Sequence, residues 1–232
     1  MISFAPDPES ERRALIEAAQ AGNARAQKKL GDLCRIGDKL TKQDYVEAVR
    51  WYRLSAEQGN AEAQNDLGVM YLDGMREDAA KAAKWYRKAA EQGLAIAAFN
   101  LACRYLKGDG VEHNDREAVG WLLRAAHQGH VETTAQLGEL FRFGRGVERN
   151  VVTAARLHVK AAMAGEVVSV ASLADYHREI EEAALDGSLR AALALATMYE
   201  VGLGVKQSPT VAYSWLLVGR AFRIPRRRSS GA

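Results

Sequence analysis

Apolar residues recur along this chain on two nested scales. Within short stretches they keep helical spacing: Ala63, Leu67, Met70 and Tyr71 fall on one face of a segment from about Ala61 to Leu72. Over longer stretches whole apolar phrases return. Trp51 opens WYRLSAEQG, Trp85 opens WYRKAAEQG, Trp121 opens WLLRAAHQG and Trp215 opens WLLVGRAF. The first intervals are 34 (85−51) and 36 (121−85) residues, and a further 36 reaches Leu157 in the weaker phrase LHVKAAMAG. A second column agrees, since Leu30, Leu67, Leu101, Leu137 and Leu195 each precede Gly or Ala in an Ala-rich stretch. Two columns at one period predict stacked helical hairpins in place of a single globular core.

Polar residues punctuate these hairpins in register. Asp44, Asp78, Asn114, Asn150 and Ser208 precede the second helix of their pairs, where a short polar side chain can accept from unpaired first-turn amides. Pro209 follows Ser208 at the first helical position, where a missing amide costs nothing. Glu47 and Glu117, three residues after their caps, predict capping boxes. Gly74 ends the first helix of its pair. Gly59, Gly93, Gly129 and Gly165 end the second helix of theirs, where the backbone turns left-handed. The pairs Gly108/Gly110, Gly144/Gly146 and Gly202/Gly204 follow helices and never extend into GxGxxG or GK[ST], so they read as inter-helix turns and not phosphate loops. Small residues such as Gly68, Ala89 and Ala90 let helix backbones approach, with Trp and Tyr filling the remaining core.

The predicted fold is all-α. It comprises an N-terminal extension at 1–8, a single array of antiparallel helix pairs at 9–222 and a basic tail at 223–232. Within the array, a capping helix at 9–22 precedes repeats at about 23–59, 60–93, 94–129 and 130–165, a truncated repeat at 166–187 and a last repeat at 188–222. In the truncated repeat Leu173 keeps the Leu column, 36 after Leu137, but Leu195 follows only 22 later, so 14 residues (36−22) are missing along with the Gly turn and the N-cap. Ser169 to Leu185 contains no Gly or Pro and predicts one continuous helix or a very tight pair, with a local change of superhelical curvature. Decay without purpose and a functional kink both fit. Tyr176, His177 and Arg178 fall inside this anomaly. His177 shares the column of Tyr71, Tyr105 and Tyr199 and reads as a packing residue, not a ligand.

Composition changes this picture little. Hydrophobic residues make up 48% and charged residues 26%, as in ordinary folded chains, and a net charge of +3 is too small to mark a nucleic-acid surface. The longest apolar run, near Ala191 to Met198, is far shorter than a membrane span. The opening MISFAPDPESERR mixes Pro, Asp and Glu where a secretory signal carries an unbroken apolar segment, so a cytoplasmic location is expected. Cys34 and Cys103 lie in different repeats without regular spacing and read as thiols, not staples. No CxxC pair joins the five scattered histidines, and no metal or cofactor site is assigned. Nor is a catalytic residue: there is no Ser, His and acid arrangement and no HExxH, and Gly129 separates His127 from His130.

The stretch from Ala61 to Gly93 reproduces AxAQxxLGxxYxxGxGVxxDxxKAxxWYxxAAxQG almost throughout, two residues short and without the GxGV turn. In these phrases the chain resembles the Sel-1-like repeat (SLR) family, relatives of the tetratricopeptide repeat, over roughly residues 9 to 222. The resemblance implies a right-handed α/α superhelical solenoid and, most often, a non-catalytic adaptor gripping a protein or peptide partner. An immunity or inhibitor protein neutralising a toxic effector is the alternative. A hydrolase of the β-lactamase-like kind, found among cysteine-rich secreted members, comes third, because their paired cysteines have no counterparts at Cys34 and Cys103.

In such arrays the first helix of each pair lines the concave face. Its columns there are Arg25, Lys29, Asp32 and Ile36, then Glu62, Asp66, Val69 and Asp73, then Ile96, Asn100, Cys103 and Lys107, then Glu132, Gln136, Glu139 and Phe143. This stripe changes from repeat to repeat while the buried columns persist. A selective groove and a merely solvated face both drift in that way; the resemblance favours the groove. The tail GRAFRIPRRRSSGA carries Arg220, Arg223, Arg226, Arg227 and Arg228 with Phe222 and Ile224 and no acid, and Pro225 stops the helix before the Arg run. It reads first as a solvated terminus. Contact with an anionic membrane surface, nucleic acid or an acidic protein is the electrostatic alternative, marked by binding that weakens steeply with salt.

Overall fold

The computed structural model describes residues 8–37, 42–73 and 78–223, and these form thirteen α-helices with no strand among them. The chain divides between Asn114 and Asp115 into two compact units. The first holds α1 (Pro8–Gln20), α2 (Ala24–Ile36), α3 (Tyr45–Glu57), α4 (Ala61–Asp73), α5 (Ala79–Glu91) and α6 (Ala95–Lys107). The second holds α7 (Asp115–Ala126), α8 (Val131–Phe143), α9 (Val151–Met163), α10 (Val167–Asp175), α11 (His177–Leu185), α12 (Leu189–Val201) and α13 (Pro209–Arg223). No helix among the described residues is long and apolar enough to cross a membrane. The tail residues Ile224, Pro225, Arg226, Arg227 and Arg228, and the predicted helix end at Gly74, lie outside the described residues, as do the side chains of Asp73, Phe222 and Arg223.

Three of the pairs are held where one helix has no side chain. A Cβ on Gly31 would lie 2.7 Å from the Tyr52 ring, on Gly68 2.6 Å from the Tyr86 ring, and on Gly138 2.0 Å from the His158 ring. Real Cβ atoms do not approach so closely, so only glycine admits the ring. Where the sequence register carries alanine instead, at Ala102 and Ala196, the matching positions twenty residues on hold leucine, Leu122 and Leu216. The deepest aromatic column is therefore the residue after the tryptophan. Tyr52 and Tyr86 are buried, whereas Trp51, Trp85 and Trp215 are only half-buried. The tryptophan faces carry cations instead: Lys88 Nζ lies 4.1 Å from the Trp85 ring and the Arg124 guanidinium 4.4 Å from that of Trp121.

The caps predicted at Asp44, Asp78, Asn150 and Ser208 form, but with a different use of their amides. Asp44 Oδ1 accepts from the amides of Val46 and Glu47, Asp78 Oδ1 from Lys81, Asn150 Oδ1 from Thr153 and Ser208 Oγ from Val211. The cap's own amide has another acceptor. It donates across the turn to the end of the preceding helix: Asp44 to the Cys34 carbonyl (2.7 Å), Asp78 to Tyr71 (2.9 Å), Asn114 to Tyr105 (3.0 Å), Asn150 to Phe141 (2.8 Å) and Ser208 to Tyr199 (2.8 Å). This repeated clasp takes the donor that the predicted box at Glu47 requires. Glu47 turns to Arg50 instead, at 3.3 Å.

Two further contacts tie one pair to the next. Gln27 Nε2 donates to the Ala19 carbonyl at 3.0 Å and its Oε1 accepts from Gln58 Nε2 at 2.7 Å; Gln64 repeats both bonds with the Ala56 carbonyl (3.0 Å) and Gln92 (2.7 Å). Each buried amide thus has partners on both sides. The second glycine of each turn packs on a neighbouring backbone. A Cβ on Gly110 would fall 2.2 Å from the Ala79 carbonyl oxygen, on Gly146 2.4 Å from that of Asp115, and on Gly204 2.8 Å from that of Val170, all at left-handed φ.

The anomalous segment takes the form of a tight pair. α10 and α11, nine residues each, are separated only by Tyr176, whose φ and ψ of −120° and 23° break the helix. Tyr176 is buried and its hydroxyl meets His158 Nδ1 at 3.0 Å. His177 packs edge-on against the Tyr199 ring, with centroids 5.6 Å apart, while its Nε2 lies 3.8 Å from Glu181.

His158 stands where Tyr52 stands in an earlier pair, and the surroundings correspond. Tyr52 Oη donates to Asp32 at 2.9 Å and accepts from Arg35 Nε at 3.2 Å; His158 Nε2 lies 3.4 Å from Glu139, which Arg142 approaches at 3.9 Å. Burial, reinforced by Arg142, lowers the His158 pKa below the ordinary 6.5 despite opposition from Glu139 and the Ala135 carbonyl.

Two measurements follow. Gly110→Ala should lower the urea unfolding midpoint, because the left-handed backbone alone costs about 1–2 kcal/mol and the Ala79 carbonyl blocks the methyl. Gly120→Ala, where nothing lies within 4 Å and the backbone is helical, should raise the midpoint, adding about 0.5–1 kcal/mol to the unfolding free energy; equal effects at the two sites would refute the packing account. As for pH, between the lowered folded pKa of His158 and 6.5 the unfolded chain binds a proton that the folded chain refuses. The His158 contribution is therefore fully present above pH 6.5 and lost as pH falls, with a slope of up to about 1.4 kcal/mol per unit. Denaturant titrations at pH 7.5 and 5.5 should show this slope reduced in His158→Tyr, and an unchanged slope would exclude His158 as its source.

Candidate functional site

The first helix of each pair presents the variable stripe, and its most developed stretch lies between α2 and α4. Here Arg25, Lys29, Asp32 and Glu62 converge with Lys28 and Asn60 around an open groove of about 470 Å³. Arg25, Lys29 and Glu62 are exposed, and Asp32 and Asp66 half-buried. Ile36, at the end of α2, is also exposed.

Lys28 organises this surface. Its ammonium lies 2.9 Å from Asp32, 3.7 Å from Glu62 and 3.5 Å from Asp66, so one cation bridges α2 and α4. Burial alone would lower its pKa, but Asp32, Asp66 and Glu62 together raise it above the ordinary value. Asp66 also shifts upward, which for a carboxyl favours the neutral form: burial raises its pKa, and the attraction of Lys28 does not fully offset it. A lysine facing three carboxylates is held charged, whereas a buried carboxylate sharing that lysine is held less firmly. Periodicity overlooked Lys28, although its place four residues before Asp32 on one helix face was a readable signal.

The remaining stripe residues divide into tied and free. Asn100 Nδ2 donates to Asn65 Oδ1 at 3.0 Å, joining α6 to α4, with Asn65 itself buried. Val69 is half-buried, and Ile96 and Lys107 are exposed. Cys103 is a half-buried free thiol whose pKa burial raises, and burial raises that of Cys34 likewise, so neither is poised as a thiolate.

On α8 the stripe turns partly inward. Glu139 accepts from Ser172 Oγ at 2.6 Å and faces His158 and Arg142, which makes it a partner of the interior network. Glu132 is exposed beside His130 at 3.4 Å, and Gln136 is half-buried. Phe143 is 60% exposed with the Arg142 guanidinium 4.9 Å from its ring. Among the described residues no group of three His, Cys, Asp or Glu is placed to hold a metal ion.

The repeat register has counterparts elsewhere. The sequence profile of the Sel1 repeat matches residues 24–60, 61–94, 95–130, 132–166 and 189–217, passing over α10 and α11. No curated protein sequence matches the chain. Among solved structures it is similar to c5321, a protective antigen present in uropathogenic Escherichia coli strains and displaying an SLR fold, at 32% identity and a TM-score of 0.69. That alignment covers 90% of this chain and 48% of c5321, so the chain spans about half the length of that relative. A Sel1 repeat protein from Oxalobacter formigenes is similar at 28% identity and a TM-score of 0.64, over 92% of this chain and 79% of that one. With the profile falling five times on the helices that carry the glycine, ring and glutamine contacts, the chain belongs to the Sel1 repeat family.

Proposed function

We propose that this chain is a non-catalytic scaffold that binds a protein or peptide partner along the first-helix stripe, centred on the groove between α2 and α4. The observation that carries this reading is the convergence of Arg25, Lys29, Asp32 and Glu62 on one open groove, with Lys28 locked between carboxylates of both helices. Charges of both signs held at fixed positions select among partners more than they add affinity. A preformed surface also spares the ordering cost that a flexible binder incurs on association. Among the described residues the stripe offers no nucleophile activated by a neighbouring base, and burial raises the pKa of its one thiol, Cys103, so the chemistry supported is recognition.

The test is affinity capture from the native cell after crosslinking in place, followed by binding measurements with the purified partner. Arg25→Glu combined with Lys29→Glu reverses two exposed charges without touching the interior. It should weaken binding about tenfold or more while leaving the circular dichroism spectrum unchanged; undiminished affinity would remove the groove from the interface. Recovery of a toxic effector whose lethality the chain suppresses would make the scaffold an inhibitor. Turnover of a β-lactam substrate abolished by one substitution on α2 or α4 would overturn the non-catalytic reading.

A further inference from the structure

The truncated repeat creates a surface that the periodic part of the array lacks. In the first unit the extensive packing runs between consecutive helices, while α2 meets α4 through the Lys28 ion pairs and α4 meets α6 through Asn65 and Asn100. In the second, α9 packs on α10 and α11 and also reaches α12, the first helix of the repeat after next. The physical cause is length. α10 and α11 have nine residues each, where α9 and α12 have thirteen, so the short pair does not separate its neighbours.

Between α9 and α12 this leaves an open groove of about 810 Å³. Its floor is apolar, with Val159 and Met163 in an i, i+4 row on α9 and Leu193 facing them from α12. Met163 is 62% and Leu193 46% exposed, so the floor is open to solvent. Its rim is cationic: Arg156 and Lys160, again four apart on α9, and Arg190 on α12. No Asp or Glu lines it. Elsewhere in this unit Arg142, Arg145, Arg149 and Arg178 have carboxylate partners. The three rim cations have none among the described residues and are exposed.

We propose that the α9–α12 groove is a docking site for an amphipathic helix of a partner protein, one whose apolar i, i+3, i+4 face is flanked by aspartate or glutamate. Two apolar rows with i, i+4 spacing, Val159 with Met163 on α9 and Leu189 with Leu193 on α12, suit a helix laid lengthwise. Three unpaired cations with no acid between them select its flanking charge. The chain's own basic tail, with five arginines from Arg220 onward and no acid, has the wrong sign to fill the groove. This surface is distinct from the α2–α4 stripe, so the two proposals stand or fall separately.

The probe is a fluorescein-labelled sixteen-residue helical peptide, chosen at about four turns, with leucine at i, i+3, i+4 and i+7 and glutamate on the flanks. Comparison peptides replace glutamate by lysine or scramble the leucines, and anisotropy is read on the full chain at low and high salt. The glutamate peptide should bind saturably and weaken with salt, the other two should not bind, and Arg156→Glu with Arg190→Glu should lose about tenfold or more in affinity. Leu193→Glu provides a second, apolar disruption at an exposed position. Arg25→Glu with Lys29→Glu should leave peptide binding intact, which separates this site from the stripe. No saturable binding, equal affinity for the lysine peptide, or affinity unchanged in the groove variants would overturn the proposal. Concentration-dependent dimers in sedimentation, abolished by the groove variants, would assign the surface to a second copy of this chain and overturn it equally.

Discussion

The edge of an aromatic ring seated on a bare glycine sets the distance between paired helices, and most other features follow from that distance. At Gly31 with Tyr52, Gly68 with Tyr86 and Gly138 with His158, a single methyl would collide with the ring. Helix backbones that come this close bring polar termini into the interior, which then require partners. Tyr52 finds Asp32 and Arg35; His158 finds Glu139, Tyr176 and the Ala135 carbonyl. The clasp from each cap amide to the preceding helix belongs to the same geometry, because only closely paired helices place that amide against the carbonyl.

A surface built by repetition leaves function to whatever does not repeat. The buried columns of alanine, leucine and ring are determined by packing and vary little, whereas the first-helix stripe is free to vary and acquires a different charge pattern in each pair. Part of that freedom is used internally: Lys28 ties Asp32 to Asp66, Asn100 ties to Asn65, and Glu139 turns to the interior. Arg25, Lys29, Glu62 and Phe143 remain outward. Irregularity has a similar effect on a larger scale, since the short α10–α11 pair lets α9 and α12 meet and leaves an apolar floor that a full repeat would cover.

Helix positions were legible in the sequence because each depends on neighbours along the chain. Asp78, Asn150 and Ser208 cap first turns within three residues, and Gly59, Gly93, Gly129 and Gly165 turn left-handed immediately after their helices. The candidate site was legible only in outline. Spacing by three and four put Arg25, Lys29 and Asp32 on one face, yet it could not separate Glu139, which serves His158, from Glu132, which faces solvent. The predicted box at Glu47 failed for a related reason: the cap amide of Asp44 has a competing acceptor ten residues back, at Cys34, visible only once the helices are folded together.

The sequence by itself determined the helices, their pairing and the family, since these rest on local propensity and on a period that needs only one chain to be read. The tertiary structure decided which polar residues face one another. Gln27 with Gln58, Lys28 with Asp66, and His158 with Tyr176 are separated by 18 to 38 residues. It also decided that a shortened repeat opens a groove instead of merely closing a gap. Such pairings depend on helix lengths and the depth at which rings sit, and those are properties of packing that no linear pattern carries.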